Sequence, residues 1–110
     1  MKITYKNNKL EKSLTIDKEL IKTYGELAKK IKQRINQLTE ADNLSIIAQL
    51  PALRLHAYKG GRVGEWSVDI KDNWRIIFEI AHEPVPKLED GGVNLLVIKA
   101  IEIVSVEDPH

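Results

Sequence analysis

The chain contains no cysteine. That excludes a disulfide framework, thiolate metal sites and a cysteine nucleophile, and it fits a reducing compartment. No apolar run approaches the roughly 18 residues needed to span a bilayer. The opening residues, Met1 to Lys6, lack the apolar stretch of a signal peptide, so the expected location is the cytoplasm. An excess of one charge is missing too: 17 Lys and Arg face 16 Asp and Glu, for a net charge of +1. Histidine is scarce. His56, His82 and His110 are joined by no HxH or HExxH spacing, so neither a metal site nor a cofactor is expected. The glycines of Gly60-Gly61-Arg62-Val63-Gly64 lie between strands and open no helix, which excludes a phosphate loop. No serine-nucleophile signature appears.

What is present suits one domain over residues 1–110, with 43% hydrophobic residues to fold it. The near-zero net charge hides an asymmetry. Residues 1–75 carry 15 Lys and Arg against 9 Asp and Glu, whereas residues 76–110 carry 2 against 7. The basic part could face a polyanion, although lysines on a helix face more often only keep a protein in solution.

The periodicity of apolar residues divides the chain. Ile3 to Asn7 reads as a first strand and Asn8 to Leu14 as a short helix. Leu20, Tyr24, Leu27, Ile31, Ile35 and Leu38 recur at three and four residues, one stripe on one long helix capped by Asp17. Lys22, Glu26, Lys29, Lys30, Gln33 and Arg34 fall away from it, and Gly25 weakens it by about 1 kcal/mol relative to Ala. Asn43 caps a short helix over Leu44 to Leu50, which Pro51 ends. From Leu53 the period becomes two, with Arg54, His56 and Tyr58 on one side.

Trp66, Val68 and Ile70 alternate with polar residues, as do Trp74, Ile76, Phe78 and Ile80. A three-residue loop, Lys71-Asp72-Asn73, sets Trp66 opposite Phe78, Val68 opposite Ile76 and Ile70 opposite Trp74, with Asn73 taking the left-handed conformation. Both tryptophans then belong to the core, not to a base-stacking platform. His82 to Gly92 reads as a loop, and Asn94 to Ser105 as a central strand. This order argues an α+β fold: N-terminal helices packed on one face of a twisted antiparallel sheet. The free face would display His56 and Arg75.

The chemistry left open is that of acid, base and phosphate. Histidine titrates near neutrality, with an ordinary pKa of about 6.5. Lys59 and Arg62 follow His56 within six residues, and Arg75 lies on the next hairpin. Metal-free RNA cleavage needs such a set: a base for the ribose 2′-OH, a cation for the phosphorane and an acid for the leaving 5′-oxygen. Taken alone, a strand histidine reads as structural, and Arg75 opposite Asp69 as a cross-strand ion pair.

The stretch Leu53-Arg-Leu-His-Ala-Tyr-Lys-Gly-Gly-Arg-Val-Gly-Glu-Trp-Ser-Val68, followed by Asn73-Trp-Arg-Ile-Ile-Phe-Glu79, resembles the HigB-type, or plasmid maintenance killer, toxins of the RelE/ParE superfamily. Their pattern is close to R-L-H-x-L-K-G-x-R-x-G-x-W-S-I, then N-x-N-W-R-I-x-F-E-F, then D-Y-H near the C-terminus. The resemblance implies a RelE/ParE-like fold and a ribosome-dependent endoribonuclease (mRNA interferase) that cuts mRNA in the ribosomal A site. It implies a helix-turn-helix, HigA-like antitoxin as partner, with operator DNA contacted only through that antitoxin. On the matching positions, His56 would be a catalytic acid or base and Arg75 would stabilise the transition state. Arg54, Lys59 and Arg62 would hold RNA or phosphate, and Asp108 and His110 would match the ends of D-Y-H. The middle of that motif is Pro109, which has no ring to stack and no hydroxyl. Two alternatives stay open beside the nuclease: a degenerate toxin kept to bind an antitoxin and regulate their operon, and a ParE-like gyrase inhibitor.

Overall fold

In the computed structural model, which describes residues 1–108, the first strand is paired with the last. β1 (Lys2–Tyr5) runs parallel to β5 (Ala100–Glu107), Ile3 beside Ile101 and Tyr5 beside Ile103. Between them come α1 (Asn8–Thr15), α2 (Asp17–Tyr24), α3 (Ala28–Glu40), α4 (Leu44–Ala48), a two-residue β2 (His56–Ala57), β3 (Glu65–Lys71) and β4 (Trp74–Ile80). The sheet order is β1-β5-β4-β3-β2. The α+β architecture expected from the order of elements, helices packed on one face of a sheet, is the one observed. Its one departure is the parallel edge strand β1, which makes the sheet mixed.

Asn7 caps α1 by accepting from the Leu10 N–H at 2.8 Å, and Asn43 caps α4 by accepting from Ser45. The expected long helix is broken. Gly25 takes φ +54 and ends α2, and a 3₁₀ turn (Gly25–Leu27) leads into α3. Only glycine reaches that conformation without strain, so the residue that weakens a helix here folds it into a hairpin. The Lys32–Asp17 ion pair at 2.9 Å ties its two arms together. The start of α2 also shifts: Ile16 holds the N-cap position and Asp17 is the first helical residue.

One face of the sheet supplies Val68, Ile70, Ile76, Phe78, Ile101 and Ile103, packed on Leu20, Ile31, Ile35, Leu38, Leu44 and Ile47 from the helices. Each fully buried aliphatic side chain contributes about 1.5–3 kcal/mol. Trp66–Phe78 and Val68–Ile76 face each other across the β3–β4 hairpin as the alternation requires. The turn differs. Lys71 pairs with Trp74 and Ile70 sits in a bulge, so only Asp72 and Asn73 form the loop. Asp72, not Asn73, takes the positive φ, at +55, as a mirror-image hairpin turn requires at its first residue.

Arg34 does not face solvent. It is 4% exposed, and its Nε donates to the Asp69 carbonyl at the bulge, 2.8 Å away. Arg34 lies three residues after Ile31 and four before Leu38, both buried, so α3 turns it toward the sheet along with them. The apolar run expected as a strand from Asn94 begins instead with a 3₁₀ turn (Leu95–Val97), and its strand starts at Ala100. No helix among the described residues is long and apolar enough to cross a membrane.

A cationic depression on the open face of the sheet

The face away from the helices carries most of the polar and charged side chains of the sheet. Alternation along β3 and β4 sends Glu65, Ser67, Asp69, Arg75, Ile77 and Glu79 to this side. β2 adds His56, paired with Ser67, and β5 adds Ser105 and Glu107, paired with Ile77 and Arg75. The period-two reading of Leu53 to Tyr58 holds only in part. Leu53 ends a 3₁₀ turn (Pro51–Leu53), and Arg54 adopts the left-handed conformation at φ 44, ψ 57. For a non-glycine residue this costs about 1–2 kcal/mol. Arg54 is left at the rim with its side chain 77% exposed.

A depression of about 440 Å³ opens there, lined by Arg54, Leu55, His56, Ser67, Asp69 and Arg75. His56 is exposed and meets the Tyr58 ring edge-on, with centroids 4.8 Å apart. Arg75 donates to the Tyr58 hydroxyl at 3.4 Å and lies 3.6 Å from the Asp69 carboxylate. Asp69 is also 3.7 Å from Arg54. All three contacts are at or beyond the long end for such bonds. The Tyr58 hydroxyl, followed by the negative charges of Asp69 and Asp108, keeps the Arg75 guanidinium above its ordinary range against the opposing effect of partial burial. Arg75 is therefore a permanent cation, loosely held.

Arg62 is placed differently. It follows the Gly60–Arg62 turn, lies over the Tyr58 ring at 4.7 Å, and reaches carboxylates on two strands. Its Nε donates to Glu65 at 2.8 Å, and Nη1 and Nη2 donate to Glu107 at 3.2 and 3.0 Å. Glu65 is on β3 and Glu107 on β5, so the guanidinium bridges the sheet over β4. Hydrogen bonds to Glu107 and then Glu65 push its pKa up. The Ser105 hydroxyl, and then Arg62, hold the Glu107 carboxyl below its usual range, with burial opposing.

Of the residues singled out in the sequence, His56, Arg75 and Arg54 line one depression, and Asp108 is close enough to act on Arg75. Lys59 stands exposed just before the Gly60–Arg62 turn, outside the depression. His110 lies outside the described residues. His82 serves the fold: its Nε2 accepts from the Lys99 N–H at 2.9 Å. Among the described residues no group of three His, Asp or Glu side chains comes together to hold a metal ion. Ser67 and Tyr58 were given no role by the sequence. Tyr58 sits two residues past His56 on the same side of the strand, which was the available signal. The burial of Ser67 leaves no mark in sequence.

No family model and no curated protein matches the chain. Among solved structures, its full length aligns with the full length of a YoeB/ParE toxin from Agrobacterium tumefaciens, at a TM-score of 0.54 and 14% identity. The two share a fold. The likeness is one of backbone architecture and extends over the whole of both chains.

A larger hollow, about 720 Å³, lies on the opposite edge, away from this depression. β1 pairs with β5 only as far as Ile103, and no other strand among the described residues takes up the edge of Val104 to Glu107. Leu10, Ile16, Tyr24, Val104 and Val106 wall this hollow, and Lys6, Lys9 and Lys12 are on its rim.

Proposed function

We propose that the chain is the toxin of a type II toxin–antitoxin pair, a HigB-like endoribonuclease that cuts mRNA in the ribosomal A site. The observation that carries this reading is the convergence of His56, Arg75 and Arg54 on one open depression, in a fold shared with a YoeB/ParE toxin. In this reading His56 removes the proton from a ribose 2′-OH. The freed oxygen attacks the adjacent phosphorus and the P–O5′ bond breaks, leaving a 2′,3′-cyclic phosphate. Arg75 balances the extra charge of the phosphorane, which is the step that profits most from a fixed cation. Arg54 and Lys59 steer the RNA backbone. Arg62, already neutralised by Glu65 and Glu107, holds Tyr58 in place beside Arg75. Asp108 and His110 supply the second acid–base pair, which protonates the leaving 5′-oxygen.

The partner is a helix-turn-helix, HigA-like antitoxin that also carries the complex to operator DNA. Its neutralising segment would be extended, apolar on one side and acidic on the other. Such a segment can add to the open edge of β5 while its carboxylates meet Lys6, Lys9 and Lys12.

Induction without the antitoxin is the test. Growth should arrest, and primer extension on cellular mRNA should show new 5′ ends within reading frames. Intact mRNA with normal growth would overturn the nuclease. DNA breaks and SOS induction in its place would point to gyrase. A second reading has Pro109 in its favour, since the resembling toxins carry tyrosine there: a module that binds the antitoxin and regulates the operon without cutting. It predicts a stable complex from a chain that leaves growth unchanged.

A further inference from the structure

Ser67 sits on the polar side of β3, yet the residue is 1% exposed, and its Oγ has no hydrogen-bond partner among the described residues. A hydroxyl sealed from water and left unpaired destabilises a fold, and alanine would fit the strand without that penalty. Its surroundings explain why a hydroxyl is useful there. Ser67 pairs with His56 on one side and Ile77 on the other, and shares the depression with Arg54, Asp69 and Arg75. We infer that Ser67 is a substrate-contacting residue whose hydroxyl donates a hydrogen bond to a non-bridging oxygen of the RNA phosphodiester gripped by Arg75 and Arg54. The inference rests on the ribonuclease reading above and adds a residue to it.

The charges select phosphate as the group contacted. Arg75 and Arg54 reach Asp69 at only 3.6 and 3.7 Å, so both can turn from that carboxylate to a better anion. A phosphate drawn between them needs donors for its remaining lone pairs, and Ser67 offers one from the floor of the site. Access requires the side chains around the hydroxyl to move. His56 is exposed and the Arg54 side chain is 77% exposed, so both can swing aside.

The experiment compares Ser67→Ala with the wild-type chain in three measurements: thermal midpoint, NMR titration with an all-2′-deoxy oligonucleotide, and ribosome-dependent mRNA cleavage. The deoxy probe keeps every phosphate and lacks the 2′-hydroxyl. Ser67→Ala should melt at the same temperature or higher. It should bind the deoxy probe about tenfold more weakly and cleave mRNA about tenfold or more slowly. Unchanged binding of the deoxy probe would overturn the phosphate contact, even if binding of a ribo-oligonucleotide fell. A lowered midpoint would overturn it as well, because the hydroxyl would then be serving the fold. Failure of the nuclease reading has a separate signature, a wild-type chain that cuts nothing, and the titration still decides whether Ser67 touches phosphate.

Discussion

Arg62 and Arg75 reach over the same face of the sheet and are held in opposite ways. Arg62 makes hydrogen bonds of 2.8 to 3.2 Å to carboxylates on two strands, and Arg75 makes contacts of 3.4 and 3.6 Å. The first is a crosslink whose charge is spent. The second keeps its charge available. A third arginine, Arg34, marks the far end of the range: it is buried under β3 and fixed to the Asp69 carbonyl. Counting cations in a sequence treats the three alike, whereas what each touches decides which can meet a substrate.

Mutation can break this contrast. The largest effect is expected on the loosely held side. On the proposed ribonuclease reading, His56→Ala should lower mRNA cleavage by roughly 100- to 10,000-fold, and Arg75→Ala by about 100-fold or more, with thermal midpoints near wild type. Cleavage by both variants at the wild-type rate would remove the depression from the chemistry. Arg34→Ala should act on stability instead, by about 2–4 kcal/mol in chemical denaturation, because it leaves a cavity and an unpaired carbonyl at the bulge. Arg62→Ala should cost only about 0.5–1 kcal/mol, since the arginine and both its carboxylate partners are partly solvated and screened. It should also slow cleavage less than Arg75→Ala does, and the reverse order would exchange the roles of the two residues.

The smallest expected effect is a pH dependence. The Glu107 carboxyl is held below its ordinary value of 4.5 by Ser105 and Arg62. A depressed carboxylate contributes stability in full above its unfolded value and loses it as the pH falls through the folded one. The stability lead of the wild type over Ser105→Ala should therefore be present at neutral pH and shrink as the pH drops below 4.5, as thermal melts across that range would show.

The sequence carried the sheet further than it carried the site. Trp66 opposite Phe78 and Val68 opposite Ile76 were legible because one buried face imposes a strict alternation. The bulge at Ile70 was not, since it is stabilised by Arg34 from a helix 35 residues away. The break at Gly25 was hidden because the apolar stripe continues across it at the same spacing. His56 and Arg75 stood out through their motif, and the structure sets them beside one depression. The commitment of Arg62 could not be read, because its partner Glu107 is 45 residues away and on another strand. Ser67 looked like any outward serine until its neighbours closed over it.

The place of β5 has a consequence for timing. This strand is synthesised last of the five yet lies between the first and the fourth, with partners on both sides. Contacts of such long sequence separation form slowly, since a large loop must close before they are rewarded. A nascent chain that has made β4 has the β3–β4 hairpin but nothing to join it to β1, and Arg62 still lacks Glu107. The sheet face that carries His56, Arg75 and the Arg62–Glu107 crosslink can therefore assemble only once β5 has been made.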